Sequence, residues 1–437
     1  MSPIAIGWVG IGVLVLLIFL RIPVAVALGL VGFAGYAVLE GAGRAHLTVG
    51  GTPIELAQAY TFSVVPLFTL MGAVAAGAGL SADLFRAGHA VLRGVRGSLS
   101  IASIFASALF GAVCGSSVAT AMTMGKVSIP EMLAAGYRPS LAAGSVAAGG
   151  TLGILIPPSL ILMIYAIIAQ QSVAELFAAA LTPGLILTVL YCLIAFVLSQ
   201  RGEGSGHPPG GVGQAAAPIR MLPALARVWH VIGLFTVTLG GIYFGWFTPT
   251  EAAAIGALGA VLLGLALRRL LLRELAGCFI ETVRLVASVI FIVMASTMFS
   301  YFIVQTGIAR GISEGLQTAG VEGTAVVLLL CVIYILMGCF LEGIAMMLIT
   351  VPITLPLIVA FGFDPVWFGV LLVILIEIGL ITPPMGLNLF VIRAVSPEIS
   401  ILDMYRGALP FLAAPLVLIA MMIVWPELAL WLPSLLN

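Results

Sequence analysis

Two stretches decide how this chain folds: Gly153-Ile-Leu-Ile-Pro157-Pro158-Ser159, and Gly379-Leu-Ile-Thr-Pro383-Pro384-Met-Gly-Leu-Asn388. Each sets a twin proline inside an apolar segment. Upstream of the first lie Gly115-Ser-Ser-Val-Ala-Thr-Ala and Ile129-Pro130; upstream of the second lie Gly338-Cys-Phe-Leu-Glu-Gly343 and Leu355-Pro356. Pro130 matches Pro356, and Pro157-Pro158 match Pro383-Pro384, at a constant offset of 226 residues without a gap. Hydrophobic segments interrupted at corresponding places in two halves point to the binding site of a secondary transporter.

The composition sets the solvent. Of 437 residues, 62% are hydrophobic and 8% charged, against roughly 25% charged in soluble domains, so the chain reads as an all-α polytopic membrane protein. Its formal net charge of zero gives no hint of a nucleic-acid partner. The cysteines Cys114, Cys192, Cys278, Cys331 and Cys339 lie in or beside apolar segments without metal-ligand spacing and read as packing residues. The opening run Ile4 to Leu20 has no basic leader and reads as a retained first helix rather than a cleaved signal.

A spanning helix needs about 20 largely apolar residues. That measure predicts about ten crossings, near 4–20, 23–39, 56–80, 140–168, 174–199, 228–247, 250–267, 279–303, 366–394 and 406–432. The crossings at 140–168 and 366–394 are the two Pro-Pro broken helices. Stretches 98–135 and 324–361 are too long for one helix and are broken by Cys114-Gly-Ser-Ser and by Gly338 to Gly343. Each reads as a re-entrant hairpin, tolerated only where its tip is buried in protein or lines a cavity; the alternative is two thin crossings each.

Cationic loops stay cytoplasmic. Clusters at Arg86, Arg93 and Arg96, at Arg201, Arg220 and Arg227, and at Arg268, Arg269 and Arg273 then place the N-terminus outside. Five crossings separate the hairpins, so the second enters from the opposite face and the repeats are inverted. Arg201 to Pro218 is a Gly/Pro-rich linker. The expected units are therefore 1–199, a cytoplasmic linker at 200–226, and 227–437.

A twin proline removes two donors and frees carbonyls one turn upstream. Such carbonyls suit a dehydrated sodium ion, and half-helix N-termini suit a carboxylate. Hydroxyls of Ser116, Ser117, Thr120, Ser159 and Thr382 face the breaks. Glu342, aligned with Ser116, is a cation ligand, a proton site or a hydrogen-bond partner of the hairpin backbone; Glu377 falls under the same reasoning more weakly. Asn388 either donates to substrate or caps a half-helix. Thr248-Pro-Thr-Glu251 reads as a capping box. Trp8, Trp229, Trp246, Trp367, Trp425 and Trp431 fall near segment ends and read as interfacial anchors. The four histidines form no cluster with Cys or acids. A Walker-type loop, a nucleophile–base arrangement and the motifs of an intramembrane protease are missing from the sequence, so neither ATP drive nor enzymatic chemistry is supported.

The chain resembles the large membrane subunit of the tripartite ATP-independent periplasmic (TRAP) transporters. The likeness rests on the two stretches above, with Ile129-Pro-Glu-Met132, Gly136-Tyr137, Gly241-Ile-Tyr-Phe-Gly-Trp-Phe-Thr-Pro-Thr-Glu-Ala-Ala-Ala254, Thr350-Val-Pro-Ile-Thr-Leu-Pro356 and Trp367-Phe-Gly369, in order along nearly the whole chain. The resemblance implies a sodium-coupled carrier with an elevator-type motion, a separate small membrane subunit, and a periplasmic binding protein that delivers the substrate. It places sodium at Gly115, Ser116, Ser117, Gly153 and Pro157 in the first half and at Gly338, Glu342, Gly343, Thr382, Pro383 and Met385 in the second. Substrate then meets Ser116, Ser117, Thr120, Ser159, Glu342, Gly386 and Asn388. Glu342 departs from the aspartate usual in the family, and its extra methylene leaves direct cation ligation open.

The expected activity is sodium-driven uptake of an organic anion, a C4-dicarboxylate, sialic acid or similar carboxylate. The other carrier reading is a stand-alone dicarboxylate or citrate symporter of related fold that needs no receptor. A passive channel or a membrane scaffold is the reading from another class.

Overall fold

The computed structural model describes residues 1–203 and 228–435, in helices and turns. The first half runs α1 (Pro3–Phe19), α2 (Val24–Glu40), α3 (Ala42–Gln58), α4 (Val64–Gly77), α5 (Leu80–Val91), α6 (Ser98–Cys114), α7 (Ser117–Ala134), α8 (Pro139–Leu155), α9 (Leu160–Ala169) and α10 (Val173–Leu198). The second runs α11 (Trp229–Tyr243), α12 (Pro249–Ala266), α13 (Leu272–Thr306), α14 (Ile308–Thr318), α15 (Gly323–Gly338) and α16 (Gly343–Ala360). It continues with α17 (Pro365–Ile381), α18 (Leu387–Val395), α19 (Ile401–Ala408), α20 (Ala413–Val424) and α21 (Glu427–Ser434). The expected linker lies outside the described residues from position 204 onward.

Each long apolar stretch is two helical arms joined by a short non-helical tip: α6 and α7 at 98–134, α15 and α16 at 323–360. Each twin proline separates two half-helices, α8 from α9 and α17 from α18. The order of elements also repeats through α5 and α14, two amphipathic connectors entered through Gly79 and Gly307. The capping box forms as expected: Glu251 N–H donates to Thr248 Oγ1 at 3.3 Å, and Thr248 N–H to Glu251 Oε2 at 2.8 Å.

Several expectations need correction. By length and composition, seven described helical runs suit a crossing: Tyr60–Gly77, Pro139–Ala169, Val173–Arg201, Pro249–Ala266, Leu272–Thr306, Gly343–Ala360 and Ile401–Val424. α1 and α2, with 17 residues each, sit at the short limit for a span. The crossing expected at 56–80 begins only at Tyr60. Arg44, His46, Glu55 and Gln58 give α3 a polar character, and it forms a helix of its own. The crossing expected at 279–303 is the middle of a 35-residue helix whose first turns carry Arg273, Glu274, Glu281 and Arg284. Trp367 is no surface anchor: it is buried, and its indole N–H donates to Met422 O at 3.2 Å. The other five tryptophans are exposed.

The two broken helices form the centre. Every residue from Leu141 to Leu155 in α8, and from Val366 to Ile381 in α17, is buried, and the two pack on each other. Around them stand the hairpin arms, α10 and α20, while α2 packs along α13 and α4 along α12 further out. Because a lipid environment provides no hydrophobic drive between helices, close packing has to hold them, and small residues allow it. The tightest case is α8 on α19, where a Cβ on Gly407 would fall 1.9 Å from Ser140 O and one on Gly144 2.2 Å from Gly407 O.

Gly407→Ala is expected to destabilise the protein by about 1–3 kcal/mol or more, since the obstacle is backbone and cannot rotate away. A thermal-unfolding midpoint equal to wild type, measured in detergent, would show that this crossing is looser than described.

Candidate functional site

The hairpin tips meet. Gly115, Ser116 and Ser117 from the first and Glu342, Gly343 and Ile344 from the second line one cavity of about 70 Å³. That volume is room for an ion or two waters at about 30 Å³ each. Two chain segments more than 220 residues apart thus face each other across a few ångströms of space.

The first tip turns at Gly115, with φ of 67° in the left-handed region that glycine adopts freely. A Cβ there would also sit 2.8 Å from Pro158 O, and Gly115 O accepts Leu160 N–H at 3.3 Å, so the tip is stitched to the first break. Ser116 caps α7 by accepting Ala119 N–H at 3.4 Å, and Ser159 caps α9 by accepting Leu162 N–H at 3.3 Å. Pro157 and Pro158 supply no N–H to the carbonyls of Gly153 and Ile154 one turn upstream. Gly153 also touches the tip: a Cβ there would lie 2.6 Å from Thr120 Oγ1 and 2.9 Å from Ser116 O. Thr120 Oγ1 is buried with no hydrogen-bond partner among the described residues. Gly115, Ser116, Ser117, Gly153 and Pro157 are therefore gathered with Thr120 and Ser159, and they offer oxygen atoms, the ligands a hard cation takes.

The second half is built differently. Glu342 stands 226 positions after Ser116 and fills the same local role, for its Oε2 accepts Ala345 N–H at 3.2 Å and caps α16. Of the three roles open to it, the contacts seen here are those of the hydrogen-bond role, and the residue also lines the shared cavity. Gly338 and Gly379 are in contact, a Cβ on Gly379 falling 2.6 Å from Gly338 O. Thr382 turns back on its own helix, its N–H donating to Gly379 O at 3.4 Å and its Oγ1 to Ile378 O at 2.5 Å. Pro157, Pro158 and Ser159 are buried, whereas Pro383 is half-buried and Pro384 and Met385 are exposed. Tyr405 Oη donates to Pro384 O at 2.6 Å and to Met385 O at 3.3 Å. Nothing in the sequence flagged Tyr405, because a hydroxyl reaching back 20 residues leaves no local pattern.

A buried side-chain pair ties the halves at the centre. Asn388, buried in the first turn of α18 behind Gly386 at its N-cap, donates through Nδ2 to Ser117 Oγ at 2.8 Å and to Ala147 O at 3.4 Å. Ser117 Oγ returns a bond to Asn388 Oδ1 at 3.1 Å. Asn388 and Ser117 thus satisfy each other across the centre.

A bundle of buried, interrupted helices whose two tips share an ion-sized cavity is the apparatus of a membrane carrier, not of an enzyme. The chain belongs to the family of the DctM component of tripartite ATP-independent periplasmic transporters, which it matches over residues 11–428. Large permease proteins of that family are sodium-coupled secondary transporters of organic anions delivered by a periplasmic binding protein. It is 34% identical over 384 residues to the C4-dicarboxylate TRAP transporter large permease protein DctM of Pseudomonas aeruginosa, covering 88% of each chain. It is 30% identical over 433 residues to the sialic acid TRAP transporter large permease protein SiaM of Vibrio cholerae, covering 98% of this chain and 97% of that one. The ectoine TRAP transporter large permease protein TeaC of Halomonas elongata is 31% identical over 426 residues, 97% of each chain. Among solved structures, the Alcanivorax borkumensis YdaH transporter shares the fold with a TM-score of 0.61 at 18% identity over 89% of each chain. Neisseria gonorrhoeae MtrF does so with a TM-score of 0.62 at 15% identity, over 97% of this chain and 96% of that one.

The Ser117–Asn388 pair gives a stability test. Ser117→Ala and Asn388→Ala each leave a buried polar partner unmet, at about 1–3 kcal/mol. In a double-mutant cycle followed by unfolding in detergent, the pair should couple by about 0.5–3 kcal/mol. Strict additivity would mean that the bond does not join the halves.

Proposed function

We propose that this permease takes up an organic anion, a C4-dicarboxylate, sialic acid or a similar carboxylate, driven by sodium ions bound at the hairpin tips. The shared cavity between Ser116, Ser117, Glu342 and Gly343 carries this reading. The first tip, with its unpartnered Thr120 hydroxyl and the carbonyls freed by Pro157 and Pro158, is the better-formed sodium site. At the second, Glu342, Gly343 and Gly338 would supply oxygens from the hairpin and Thr382, Pro383 and Met385 from the break. Binding there requires the bonds from Tyr405 to Pro384 and Met385 to yield. The cavity holds an ion but not an organic acid, so substrate entry between Ser116, Ser117, Thr120, Ser159, Glu342, Gly386 and Asn388 requires the tips to part.

The 226-residue match of hairpins and breaks supports two inverted repeats, 1–199 and 227–437, joined by a cytoplasmic linker at 200–226, with the hairpins entering from opposite faces. On this reading the N-terminus is periplasmic, the membrane is the bacterial inner membrane, and both hairpins with their broken helices travel as one elevator body. The partners are a small membrane subunit and a periplasmic binding protein. The binding protein sets selectivity, in keeping with relatives named for a dicarboxylate, sialic acid and ectoine.

The experiment is uptake into proteoliposomes holding this chain and its small partner, with the binding protein supplied outside. Transport should need both an inward sodium gradient and the binding protein; independence from either would overturn the proposal. Thr120→Val keeps the shape and removes one candidate oxygen. The sodium concentration for half-maximal uptake should rise about tenfold, the equivalent of one lost contact near 1.4 kcal/mol, and an unchanged value removes Thr120 from the sodium shell.

A further inference from the structure

Glu377 lies six residues before Pro383, as Thr151 lies six before Pro157, and the two positions are 226 apart. They are equivalent points on the two central half-helices, α17 and α8, which pack on one another. Both residues are fully buried. Thr151 is satisfied: its Oγ1 donates to Ala148 O at 2.8 Å and shares a bond of 3.1 Å with Tyr191 Oη from α10. Glu377 is not. Both carboxyl oxygens are buried and neither has a hydrogen-bond partner among the described residues.

Among the described residues no cation is placed to balance a charge there. Of the elements packed on α17, α8, α16 and α20 contain no ionisable side chain. From α10 come Glu175, Cys192 and Tyr191, and Tyr191 is the one that feels the Glu377 carboxyl. Cys331 and Tyr334 on α15 and Tyr165 on α9 belong with the far end of α17, where Tyr334 bonds Thr350 and Thr354 and Tyr165 donates to Pro365 O. Arg393 on α18 is bonded to Ile399 O, and Glu427 opens α21. A lone carboxylate in such a place costs far more than the same group carrying a proton. Sodium would need several oxygens, and among the described residues neither carboxyl oxygen of Glu377 has a polar atom within bonding distance.

We propose that Glu377 is a proton-binding site inside the packed core, a carboxylic acid that gives its proton to water only when α17 parts from α10. The protonation rests on the geometry alone; the exchange rests on the carrier reading above. The carrier would then be sensitive to pH through a residue distinct from the hairpin tips. In the open, hydrated arrangement the acid is ionised at neutral pH, so repacking takes up one proton from water and becomes less favourable with every step toward alkaline pH.

Infrared spectroscopy of the full chain in lipid tests the first part. A protonated-carboxyl C=O band should be present at neutral pH and resist alkaline titration. It should vanish in Glu377→Gln, stay in Glu342→Gln, and shift in Tyr191→Phe. A wild-type spectrum without the band, or a band untouched by Glu377→Gln, overturns the assignment; if Glu377→Gln does not fold, an unshifted band in Tyr191→Phe does so instead. Uptake tests the second part. At saturating sodium, wild-type initial rates should fall severalfold from neutral to alkaline pH, while Glu377→Gln, which mimics the neutral acid, should lose that decline. A wild-type rate that ignores pH, or parallel profiles for the two proteins, overturns the exchange. Absence of wild-type uptake at any pH would instead sink the carrier reading and leave the infrared result standing.

Discussion

A broken helix inside a bilayer has free backbone donors and acceptors that water cannot reach, and the rest of this structure follows from where it hides them. The answer is largely local and mutual: the interruptions are met by each other, by capping side chains and by one tyrosine. Gly115 O takes the N–H of Leu160, Ser116 and Glu342 take N–H groups at the starts of their own helices, and Tyr405 takes the carbonyls of the second break. Glycines at 111, 153, 338 and 379 let these backbones come within contact, since a methyl group at any of them would lie within 3.2 Å of a neighbouring backbone atom. The small residues and the prolines are therefore one device. Prolines open the helix, and glycines let the open ends be covered.

The two halves share a plan and differ in chemistry. Positions 116 and 342 both cap a hairpin arm, one with a hydroxyl and one with a carboxylate. Positions 151 and 377 both sit in the core before a break, one bonded and one bare. The first break is sealed and the second opens to the surface. A duplicated frame has thus been fitted with unlike groups. The oxygens of the first set are enclosed by protein, and water or a neighbouring chain can reach the second.

Much of this was legible in the residues. Helix breaks are written in proline and glycine, whose effects are local, so both hairpins and both twin-proline interruptions stand within a residue or two of where the sequence puts them. The capping box at Thr248 is equally local. What escaped depended on distance. α3 goes unread, apart from its last residues at the start of the 56–80 segment, because Arg44, His46, Glu55 and Gln58 dilute its apolar content below that of a crossing. Trp367 was placed at an interface because a tryptophan near a segment end usually is, but α20 covers it. Tyr405 holds the carbonyls of Pro384 and Met385 from 20 residues away, and the Ser117–Asn388 bond joins residues 271 apart. Neither has a signature that one sequence can carry.

That last bond has a consequence for how such a chain can drift over generations. Ser117 and Asn388 answer each other's donors and acceptors in a place where no solvent can stand in. A replacement on either side is tolerated only with a reply on the other. At this point the two halves of the chain are held to one another by side chains as well as by packing.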